Sequence, residues 1–190
     1  MRDNKDILQQ YVSDMIALDK HIVEAVERQL NDERLDTYPG ARQLVGTIKR
    51  TLTAQVDGLQ QQLASVGGEA SGPVKETLSA VAGVAAGLYD KVRHDPVSKM
   101  LRDDYTALSL ASVGYTMLHT TGLALKHTGI ANMAVASLKE LTPLVVDISK
   151  LLPMLVVKDL AGEEVSLDES AGPAAVRNTQ AAWGRENTGK

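Results

Sequence analysis

Apolar residues recur every three to four positions along most of this chain, a spacing that gathers them on one face of a helix and that a strand could not use to bury one side. In the first such segment, about residues 5–31, the stripe is Val12, Met15, Ile16, Ile22, Val23, Val26 and Leu30, and Asp19 falls in the middle of it. A carboxylate in that position needs a donor, a cation, water or a proton, because burying its isolated charge is strongly unfavourable. Residues 32–40 are polar and turn-forming and include Pro39, so a second helix is expected to begin near Ala41. Its stripe reads Leu44, Ile48, Leu52, Gln55, Leu59, Leu63 and Val66, with Gln55 as the lone polar member and Gly67-Gly68 as the stop.

A third segment, about residues 73–93, carries Val74, Leu78, Val81, Ala85, Leu88 and Val92, with Gly83 and Gly87 four apart. That spacing predicts close helix packing, inside the molecule or across a dimer, since the apolar run is only about half of the ~20 residues a membrane span needs. Asp90 and His94, four apart at its end, fit a protonatable cap on the last carbonyls. The fourth segment, about residues 97–126, turns Leu101, Asp104, Tyr105, Leu108, Ala111, Tyr115 and Leu118 toward a core. A fifth begins near Ile130 and runs through Val135, Leu138, Leu141, Val145, Ile148 and Leu152. Thr142-Pro143 inside it predicts a kink, or a stop and restart.

Beyond Pro153 the period dissolves. Residues 1–157 are therefore expected to form a helical bundle. Residues 158–190, with Glu163, Glu164, Asp168, Glu169 and a single Trp183, are expected to form an acidic, flexible tail that contacts a partner.

Composition narrows the function. At 190 residues, 44% hydrophobic and 23% charged, the chain supports one core rather than two domains. With no cysteine there are no disulfides, thiolate metal sites or cysteine nucleophiles, and a reducing compartment fits. The polar start, MRDNKD, has no signal-type apolar stretch after it, which points to the cytoplasm. A net charge of −4, no concentrated basic run, no Phe and one Trp argue against nucleic acid as a partner.

The helices resemble those of the ferritin-like superfamily and, within it, stress-associated bacterial proteins of the YciF type. The resemblance rests on DMIALDKHI at residues 14–22, TAQV at 53–56, Asp103-Asp104-Tyr105 with Gly114, and LTPLV at 141–145, and it covers about residues 5–155. It implies an all-α fold, an antiparallel four-helix bundle with an additional helix. The ligand set departs from the family's. A dimetal centre of this type takes a Glu from each of two helices and Glu-x-x-His from each of the other two. Three positions before His21, His94, His119 and His127 stand Leu18, Lys91, Thr116 and Ala124, and the second helix holds Arg50 and Thr53. Asp19 and Asp103 or Asp104 are the metal candidates that remain. As a ligand, Asp19 needs one of those aspartates across the core; as a structural residue it accepts hydrogen bonds from Gln55, Tyr105 or Tyr115.

Neither a nucleophile–base motif nor a phosphate-cradling signature is present. His119 reads as a satisfied side chain, and His21 and His127 as surface or turn residues. The leading expectation is a non-catalytic structural or protein-interaction module without cofactor, forming a homodimer and engaging a partner through its tail. A metal-binding oxidoreductase, with iron or another divalent metal at an atypical carboxylate site, is the alternative. A peripheral lipid-binding protein using residues 81–89 ranks below it.

Overall fold

A computed structural model describes residues 3–68, 96–163 and 165–184. The third segment, with Gly83, Gly87, Asp90, His94 and the lipid-facing candidate at 81–89, lies outside the described residues, as does Glu164.

All the regular structure among the described residues is helical. Helix α1 spans Asn4–Leu30, with the Asp3 carboxylate capping its start by accepting from the Lys5 amide. A 3-10 turn, Glu33–Thr37, leads to α2, Pro39–Ser65, which has proline in its first turn where the missing N–H is no loss. Helices α3, Val97–Ala124, and α4, Thr128–Ala161, follow, and a short α5 spans Ala171–Ala182.

Specific contacts give the directions. Gln9, near the start of α1, donates to the Val66 carbonyl at the end of α2 (2.8 Å), and Lys49 pairs with Glu27 (2.9 Å), so these helices are antiparallel. Gln29 to Asp104 and Tyr115 to Asp19 make α3 antiparallel to α1. Ser98 to Asp159 and His119 to the Ala131 carbonyl make α4 antiparallel to α3. Gln55 meets Ser137 while Leu44 lies near Leu151, so α4 is antiparallel to α2 as well. It follows that α2 and α3 run the same way.

The core follows the stripes read from the sequence most closely in α2 and α3, whereas in α4 Val135, Leu138, Val145 and Leu152 are only half-buried and Ala131, Ala134, Leu144 and Leu155 are buried instead. In α2, Ile48, Leu52, Gln55, Leu59 and Leu63 are buried and Leu44 is half-buried; in α3, Leu101, Asp104, Leu108, Ala111, Tyr115 and Leu118 are buried. Where α3 meets α4 the backbones nearly touch, since a Cβ on Gly122 would stand 2.8 Å from the Ala131 nitrogen.

Two expectations are corrected. Pro143 and Pro153 lie inside α4, so of the two outcomes expected at Thr142-Pro143 the stop and restart does not occur. Proline removes one intrahelical hydrogen bond and costs ~3 kcal/mol, but Leu141, Leu144, Ile148 and Leu155 all stay buried along one uninterrupted line. The boundary at 157/158 also falls inside a helix, because residues 158–161 complete α4. Part of the expected tail then folds back as α5. Gly172 is buried against Met154 and Val157, Gln180 donates to the Ser149 hydroxyl (3.2 Å), and the Trp183 ring lies 6.3 Å from Tyr105. Five alanines favour this helix, and the missing side chain at Gly172 lets it settle on α4. No described helix is long and apolar enough to cross a membrane.

Candidate functional site

The apolar interior is interrupted at one level by polar side chains from all four long helices. Asp19 of α1 is fully buried within residues 15–19, none of which reaches solvent appreciably. Tyr115 of α3, also fully buried, donates its hydroxyl to Asp19 Oδ2 at 2.5 Å. Ser137 of α4 is buried close to the Tyr115 hydroxyl. From α2, Gln55 Nε2 donates to the Ser137 carbonyl (3.2 Å) and to Glu140 Oε2 (3.3 Å). The polar residues extend from the buried Asp19 to Glu140, which is exposed.

Its electrostatics follow from the imbalance of donors and acceptors. Asp19 Oδ1 and Gln55 Oε1 are buried and have no hydrogen-bond partner among the described residues. Burial pushes the Asp19 carboxyl up to about 7, and the Tyr115 hydrogen bond pulls the other way without reversing it. Burial and then the neighbouring Asp19 charge push the Tyr115 hydroxyl far up, so it stays protonated as a donor. A single neutral donor cannot stabilise a buried carboxylate as water does, and Asp19 therefore holds its proton to near neutrality.

This donor set does not match a dimetal centre. Asp19 and Glu140 supply two carboxylates, Tyr115 a protonated phenol and Gln55 an amide, whereas two adjacent cations need several carboxylates to neutralise and bridge them. Among the described residues no group of three or more His, Asp or Glu is arranged to hold a metal ion.

Comparison with known proteins adds no relative: no family model, curated protein or solved structure matches the chain.

The other candidates sit elsewhere. Asp104 is buried and accepts from Gln29 Nε2 at 2.9 Å. Because Gln29 is ten residues beyond Asp19 on α1, that contact lies about 15 Å along the helix from the Asp19 level. Asp103 is paired with Arg102 at 2.7 Å and partly exposed. Asp19 is thus not brought together with either. Of its three suggested donors, Tyr115 is the one that reaches it; Gln55 turns to α4, and Tyr105 packs near Trp183.

His119 and His127 serve a helix contact and a helix end, while His21, expected at the surface or in a turn, is half-buried in the middle of α1. His119 Nδ1 meets the Ala131 carbonyl at 2.7 Å, and His127 Nδ1 accepts from the Ile130 amide at 3.2 Å, capping α4. Ser137 and Glu140 were not singled out in the sequence. Their three-residue spacing on the face of α4 toward α2 was the available signal.

Proposed function

We propose that the chain is a ferritin-like four-helix bundle with an additional helix, in which a hydrogen-bonded polar layer stands where a dimetal centre would, and that it works as a structural or protein-interaction module without catalysis. The observation that carries this reading is the layer itself, with Asp19, Gln55, Tyr115 and the Ser137–Glu140 pair contributed by four different helices, Tyr115 bonded to Asp19 and Gln55 to the Ser137 carbonyl and to Glu140. The helix directions support it too, since α2 and α3 run parallel and both run antiparallel to α1 and α4. A buried polar layer that is mostly satisfied holds helices in register, which supplies a reason for these residues other than chemistry.

On this reading the protein is a cytoplasmic homodimer, related in role to the stress-associated proteins it resembles, and it needs no cofactor. Anaerobic reconstitution with ferrous iron followed by metal quantification tests it. Less than one tightly held ion per chain is expected. Two ions per chain, lost on Asp19→Ala, would establish the metal-dependent oxidoreductase instead. Sedimentation at several concentrations tests the dimer.

A further inference from the structure

Between α1 and α3 there is a groove of about 300 Å³, lined by Tyr11, Asp14, Met15, Leu110, Val113 and Met117 among other residues. Its α3 wall is an apolar stripe at helical spacing in which Leu110 packs against the core while Val113 and Met117 are 59% and 51% exposed. Large apolar side chains gathered in this way, rather than scattered singly, mark a surface that something covers. The floor is deepened by Gly114, where a Cβ would stand 2.5 Å from Met15 Sδ.

One charge breaks the apolar lining. Among the described residues around the groove, Asp14 alone is ionisable in the neutral range or below. Burial raises its pKa above the ordinary carboxylate value. A carboxylate set in an apolar wall offers half of an ion pair. A cation flanked by apolar groups complements it, because an acidic occupant would repel the charge and a neutral one would leave it unbalanced.

We propose that this groove receives an amphipathic helix of a partner protein, which presents one basic side chain to Asp14 and apolar side chains to Met15, Leu110, Val113 and Met117. A helix fits because a trough between two antiparallel helices matches anchors spaced three and four residues apart. The two methionines add adaptability, since thioether side chains repack around differently shaped partners. The assignment rests on the interaction-module reading and names its surface.

The test uses the full chain and three synthetic amphipathic helical peptides of leucine, alanine and glutamine, identical except for a central lysine, glutamine or glutamate. Titration calorimetry at physiological salt should show the lysine peptide binding about tenfold more tightly than the glutamine peptide, as a charge-assisted hydrogen bond gives. The glutamate peptide should bind most weakly. Asp14→Asn should bring the lysine and glutamine peptides within about twofold of each other. Val113→Asn, at an exposed position, should weaken the lysine and glutamine peptides alike. Thermal melts of both variants verify folding. Equal affinities in the wild type, a lysine preference that survives Asp14→Asn, or no binding by any peptide, as when the chain's own residues hold the groove, each overturns the proposal. Iron content is a separate readout, so failure here and failure of the non-catalytic reading are told apart.

Discussion

Replacing Asp19 with asparagine isolates the most unusual group in the molecule, because the amide matches the carboxyl in shape and carries no titrating proton. Asp19 has a folded-state pKa of about 7 against an ordinary value of 3.8. Between those two values the folded protein binds the proton that the unfolded chain releases. The resulting stabilisation is fully present below pH ~4 and is lost as pH rises through about 7. At ~1.36 kcal/mol per pKa unit the loss sums to roughly 4 kcal/mol, an order-of-magnitude figure. For a chain of this size that corresponds to a fall in Tm of about 8–16 °C. Thermal melts of wild type and Asp19→Asn from pH 4.5 to 8 measure it. The difference between the two curves removes every other titrating group, including Asp14, whose pKa burial also raises. The wild type should lose stability relative to the variant across this window and level off above it. A flat difference curve, or one in which the wild type gains on the variant as pH rises, refutes the reasoning. Tyr115→Phe supplies a control with a defined direction. Losing the Tyr115 donor to Asp19 should move the midpoint of the transition to higher pH and destabilise the protein by about 1–3 kcal/mol near neutrality.

Two further predictions concern packing. Gly122→Ala should lower stability by about 1–3 kcal/mol in denaturant unfolding, although alanine is the better helix former, because the new methyl meets the Ala131 backbone rather than a movable side chain; an unchanged midpoint would mean that α3 and α4 separate at little cost. Gly172→Leu should lift α5 from α4 by colliding with Met154. Trp183 emission should then shift to the red while the main melting transition stays within a few degrees, and an unchanged spectrum would place the indole outside any dependence on α5 docking.

The apolar period alone located α1, α2, α3 and the start of α4 to within a few residues, and it identified the faces they bury, because a stripe at helical spacing has one way to leave water. It also put Asp19, Gln55 and Tyr115 inside those stripes, so the membership of much of the polar layer was legible. Their pairing was not. Spacing along one helix sets which face a residue occupies, whereas the partner it meets depends on the relative height and rotation of two helices, which many weak contacts decide together. For that reason Tyr115, not Gln55 or Tyr105, reaches Asp19, while Asp104 is bonded to Gln29 about 15 Å away along α1. The continuity of α4 through two prolines and the folding of α5 onto it were tertiary decisions as well: local propensity opposed the first and left the second marginal, and burial against neighbouring helices outweighed it in both.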